Sequence, residues 1–157
     1  MKKKQRKRIS IIHKVSGMMA LAIISLFFLA SVYTEINGNH DLILNVKTII
    51  VFTMPIMLIL MPVAAITGKK IAGKSMAPII KIKKNRVKFI AINGIILMVL
   101  AVLLYLRASN GQIDNTFLTL QFTEFAFGLA NMSLLLLMIR DGRILTGKTQ
   151  NKKNGKQ

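Results

Sequence analysis

Apolar residues gather in four long blocks, Val15–Tyr33, Thr48–Ile66, Phe89–Leu106 and Thr116–Ile139, with polar segments between them. Crossing ~30 Å of hydrocarbon takes ~20 helical residues at ~1.5 Å rise each, and every block meets that length. The pattern predicts an all-α polytopic membrane protein with four transmembrane helices in two antiparallel hairpins. Basic residues then orient it. Seven Lys or Arg fall in 1–14, eight in 67–88 and six in 140–157, whereas the other two connections hold only Lys47 and Arg107. Cytoplasmic segments carry the excess of Lys and Arg, so both termini are expected in the cytoplasm. The layout is a basic tail at 1–14, a bundle at 15–139 with a basic loop at 67–88, and a basic, disordered tail at 140–157.

Composition narrows the class further. The chain has 157 residues, 53% of them hydrophobic, and a formal charge of +18. A soluble protein this basic would point to nucleic acid. Here the charges flank apolar spans and there is no Trp for stacking on bases, so the partner expected is a bilayer with anionic lipids. With no cysteine there is no disulfide, thiolate metal site or cysteine nucleophile. The opening MKKKQRKR resembles the start of a secretory signal, but signal apolar regions run ~7–15 residues and this one continues to Tyr33. An uncleaved first helix is expected.

The connections carry their own signals. Asn37-Gly38 and Ser109-Asn110-Gly111-Gln112 read as tight turns. Tyr105 and Arg107 suit an interfacial belt, and Lys47 is placed at the outer edge of the second helix. Inside that helix, Pro55 and Pro62 deprive the carbonyls of Val51 and Leu58 of their helical partners, which predicts a kink. The second helix is expected to end at Thr67-Gly68. In the following loop, Lys69, Lys70, Lys74, Lys81, Lys83, Lys84 and Arg86 alternate with isoleucines, as in a segment lying on an anionic membrane surface. Pro78 is expected to keep it from forming one continuous helix.

Candidate chemistry centres on the fourth block. Gln121, Glu124, Gly128 and Asn131 follow at spacings of three, four and three, which puts them on one helix face. A carboxyl group in hydrocarbon faces protein or water, so this stripe is assigned to the bundle interior, with Gly128 admitting a neighbouring backbone. Depth counting pairs Gln121 and Glu124 with the proline-opened second helix near Thr53, and Asn131 with Asn93. No basic residue was placed at the depth of Glu124, so its carboxyl is expected to be protonated. Interhelical bonding is the usual role of such groups; proton or cation transfer is the alternative for Glu124.

Two other ligand chemistries are weaker. Haem between two imidazoles needs histidines at one depth, and His13 and His40 fall on opposite faces, which leaves only a His/Met pair through His13. Met54, Met57 and Met61 share a helix face and thioethers suit Cu(I), although methionine commonly fills gaps in apolar packing. No phosphate-binding loop, hydrolase nucleophile or zinc-protease motif occurs, and no cofactor or metal is expected.

The phrase Phe117-Leu118-Thr119-Leu120-Gln121, followed by Glu124, Gly128, Asn131 and Arg140-Asp141-Gly142-Arg143, together with Asn93-Gly94 and His13-Lys14-Val15-Ser16-Gly17, resembles uncharacterised small four-helix membrane proteins of bacteria. That resemblance implies a multi-pass protein of the bacterial inner membrane and no activity. The expected function is non-enzymatic: an accessory or assembly subunit, or a self-associating scaffold, within a homo-oligomer or larger membrane complex. The alternatives are a proton- or cation-coupled transporter using Glu124 and a haem protein using His13.

Cysteines introduced at Asn39 and Asn110 should react with a membrane-impermeant reagent on intact cells, and one at Ser75 should not. Labelling of Ser75→Cys from outside would invert the arrangement.

Overall fold

A computed structural model describes residues 3–73 and 78–154. Lys74 and Ser75, both singled out from the sequence, lie outside the described residues. The chain forms four α-helices: α1 (Lys3–Asn37), α2 (His40–Ala72), α3 (Pro78–Ser109) and α4 (Asn115–Asn154). All four are long and apolar enough to cross a membrane. Their outward faces display large apolar side chains such as Leu26, Phe52, Ile59, Phe89 and Phe122. Such a surface suits hydrocarbon rather than water.

The helices outrun the apolar blocks at nearly every end. Lys, Arg and Gln are good helix formers, so charged flanks prolong a helix that hydropathy alone would truncate. Three expectations change as a result. Helix α4 continues through Asn154, so the segment from Arg140 is helical where disorder was expected. Helix α2 passes Thr67-Gly68 and stops at Ala72, where Gly73 adopts φ 57° and donates its amide to the Lys69 carbonyl. Most of the expected basic loop of 67–88 is therefore helical, through Ala72 on one side and from Pro78 on the other. Pro78 opens α3 instead of interrupting it; in the first turn its missing N–H costs the helix no bond. Helix α2 runs unbroken through Pro55 and Pro62.

Helix α1 packs against α2 and α4, and α3 packs against the same two. The diagonal pairs stay apart: no Cα of α2 comes within 8 Å of one in α4. Ile43, Leu104, Ala108 and Phe117 form a buried cluster beside the two short turns, so both turns sit at one end of the bundle. Gly38 and Gly111 make those turns at φ 63° and 68°, a conformation costly for a residue with a Cβ. The Asn39 side chain caps α2 by accepting from the amides of Asp41 and Leu42.

At the start of α4, the Asp114 carboxylate accepts from the Phe117 amide at 2.9 Å and from Arg107 at 2.7 Å. Arg107, expected at the interfacial belt, locks the turn between α3 and α4. The Phe117 amide, with Arg107 beside it, holds the Asp114 carboxyl below its ordinary value. A depressed carboxyl stabilises the fold above its unfolded pKa, and that contribution disappears as pH falls through the folded value. Thermal unfolding in detergent should therefore show a stability loss below about pH 4, the ordinary aspartate range. Asp114→Asn should retain part of the cap and remove that acid-dependent component.

Candidate functional site

Seven residues into α2, the Lys47 side chain leaves its helix and crosses the interior to α4. It is completely buried, at 0% exposure. Its Nζ lies 2.6 Å from Glu124 Oε2 and 3.3 Å from Ser31 Oγ on α1. Glu124 Oε2 also accepts from Gln121 Nε2 at 2.9 Å. Glu35, near the end of α1, stands within electrostatic range of both charges, and its buried Oε1 accepts no bond from the protein. Two carboxyl groups, one ammonium, an amide and a hydroxyl thus meet among α1, α2 and α4. In apolar surroundings either charge alone would be strongly disfavoured; at this distance each compensates the other.

This cluster corrects three sequence expectations. Glu124 has a basic partner at its own depth, which removes the reason for expecting it protonated. Lys47 is not at an interface with water. Thr53 takes no part: its hydroxyl donates to the Ile49 carbonyl one turn back in its own helix. Lys47 was placed at the edge rather than inside because the second span was drawn from Thr48, and Ser31 and Glu35, both on α1, were not singled out as interior partners. Counting from the polar turn at His40 would have found the lysine. Lys47 lies about 10 Å into α2 and Glu124 about 14 Å into α4 at 1.5 Å per residue, a difference that a lysine stem spans.

The remaining stripe is interior, with different contacts. Gln121 and Asn131 are each 1% exposed. Asn93 does not meet Asn131; its Nδ2 donates to the Phe127 carbonyl at 2.8 Å, one turn earlier on α4. Gly128 receives the ring of Phe28, 3.4 Å from where a Cβ would stand, and not a neighbouring backbone. Phe28 also meets Phe125 edge to face, fastening α1 to α4.

Away from the turns the helices separate around a cleft of about 2460 Å³. Glu124, Ser31 and Asn131 line it towards the ion pair, and Met54, Met57 and Met61 line it along α2. His13 is also on its wall. The His13 Nδ1 lies 2.9 Å from the Ala64 carbonyl, which can only accept, so Nδ1 carries the proton and Nε2 is left as an acceptor. The ring packs against Gly68, where a Cβ would come within 3.0 Å of it. His40 is exposed and belongs to the turn end, far along the chain's fold from His13. Among the described residues no three of His, Cys, Asp and Glu are grouped to hold a metal ion.

The basic segments are partly consumed inside the bundle. Lys83 Nζ donates to the Met138 carbonyl at 3.2 Å, and Arg86 forms an ion pair with Asp141. Both fasten α3 to α4. Lys69, Lys70, Lys81 and Lys84 remain exposed.

Removing one member of a buried ion pair strands the other, at a cost of about 3–5 kcal/mol. Lys47→Met should accordingly destabilise the protein by about 3 kcal/mol in reversible micellar unfolding. The double variant Lys47→Met/Glu124→Leu should recover most of that loss. A double variant that loses the sum of two independent deficits would show that the residues do not act as a pair.

No protein-family model, curated protein or solved structure matches the chain.

Proposed function

We infer that this is a non-enzymatic, multi-pass protein of a bacterial inner membrane, serving as an accessory, assembly or scaffold subunit. Its helices form two antiparallel hairpins, and both termini face the cytoplasm. The distribution of charge supports that orientation: Lys and Arg crowd the tails and the adjoining ends of α2 and α3 and avoid the two glycine turns. The observation that carries the functional reading is the Lys47–Glu124 pair. Ser31 of α1, Lys47 of α2 and Gln121 and Glu124 of α4 are engaged with one another across the bundle, as interhelical ties are.

A second reading rests on the Glu35 carboxyl beside the same pair. Two carboxyls sharing one lysine form a group able to exchange a proton or a cation, and the cleft reaches Glu124. In that reading Glu124 carries the proton or cation.

Purification of the tagged chain from native membranes in mild detergent separates the two. An accessory or scaffold role requires a stoichiometric protein partner or a defined homo-oligomer. A monomer without partners that supports pH-dependent flux in vesicles, abolished by Glu124→Gln, would replace it with the transport reading.

A further inference from the structure

The cleft is asymmetric in charge. Every helix contributes a cation to its wall, with Lys14 on α1, Lys69 on α2, Lys83 on α3 and Arg143 on α4, and these residues fall at the helix ends remote from the glycine turns. The single carboxylate on the wall is Glu124, at the other end, where Lys47 already compensates it. Between the two ends the lining is overwhelmingly apolar, with Met54, Met57 and Met61 along α2. The volume, about 2460 Å³, is well above the ~300–1,000 Å³ usual for small-molecule pockets. The space is open rather than loosely packed. A Cβ built at Gly17 or Gly94, both on the wall, meets nothing within 4 Å.

We propose that this cleft seats one anionic phospholipid of the bilayer, acyl chains along Met54, Met57 and Met61 and headgroup phosphate at Lys83. The proposal rests on the membrane reading given above and adds a defined interior site to it. Lys83 is the residue built for the headgroup. Its bond to the Met138 carbonyl fixes the ammonium at the cleft wall, with Arg86 and the Asp141 carboxylate within electrostatic range. His13 lies within electrostatic range of Lys83 and is held in place through Nδ1. A headgroup hydroxyl can donate to its Nε2. The charge gradient fixes the direction of the lipid: phosphate towards the cationic end, chain ends towards Glu124.

The test uses the full chain, extracted in mild detergent and mixed with equal amounts of phosphatidylglycerol and phosphatidylcholine, with bound lipid counted by native mass spectrometry. The chain should retain one phospholipid and prefer phosphatidylglycerol. Lys83→Gln, which can still donate to Met138, should lower that preference about fivefold, the factor corresponding to ~1 kcal/mol per basic residue at an anionic headgroup. Gly94→Leu places bulk in open space within a helix, so it should reduce retention of both lipids while helical content and melting temperature hold or rise. Equal retention by the parent chain and both variants would mean annular lipid only and would overturn the proposal. So would a cleft occupied by a stoichiometric protein helix, or no retained lipid at all. A chain that leaves the membrane without detergent would instead defeat the membrane reading itself.

Discussion

Lys47 and Glu124 join two helices whose backbones never approach each other. The α2–α4 diagonal is bridged by the length of a lysine side chain, with Ser31 of α1 and Gln121 of α4 completing the contact. Such a bond fixes more than distance. One residue of slip turns an α-helix by about 100° and moves it 1.5 Å, enough to take either charge off the interior. In hydrocarbon the penalty for that misplacement is steep, so the pair selects one rotation and one depth for each helix. The other side-chain ties described here stay between neighbours: His13 to Ala64 between α1 and α2, and Asn93, Lys83 and Arg86 between α3 and α4. The diagonal bond is what sets the two pairs in register.

Close packing begins at the turns and continues along the helices. The buried cluster of Ile43, Leu104, Ala108 and Phe117 lies beside the turns, where the glycines and the caps at Asn39 and Asp114 hold successive helices close. Farther along, Phe28 seats against Gly128 between α1 and α4, and Ala20, Ile90 and Asn131 are buried as well. The cleft opens among these contacts, with Lys14, Lys69, Lys83 and Arg143 on its wall at the end remote from the turns.

Much of this was legible in the sequence, and the failures share a cause. Hydropathy located four helices, both glycine turns and the interior stripe on α4, because burial in hydrocarbon demands long apolar runs and one polar face. It misjudged the helix ends because it registers the thickness of the apolar slab, while helix formation continues through Lys, Arg and Gln. The same bias hid Lys47. A lysine read as the edge of a span was assigned to water, and Glu124 was left without a counter-charge. Depth counting placed Asn93 and Asn131 correctly inside but paired their side chains with each other. A backbone carbonyl, Phe127, is an equally good acceptor that no residue-type pattern reveals. The cleft was not legible at all, since it depends on how far apart helices stand, which no single helix encodes.

The interior polar groups are unevenly supplied with donors. Glu35 Oε1, Gln121 Oε1 and Asn131 Oδ1 are buried and accept nothing from the described protein, whereas Lys47 is the one buried ammonium among them. Glu35, Gln121 and Glu124 gather near the turn end of the bundle, and the cations of the cleft wall lie at the opposite end. Within a low-dielectric interior that separation creates a field along the cleft that water would otherwise screen. The field is attractive to an anion only at the basic end, and repels one near Glu124. An amphiphile can satisfy both conditions at once, because its charge is confined to one end and its apolar length lies along the methionine face. The ion pair that aligns the helices thus also gives the cleft its polarity, through the acceptors gathered around a single lysine.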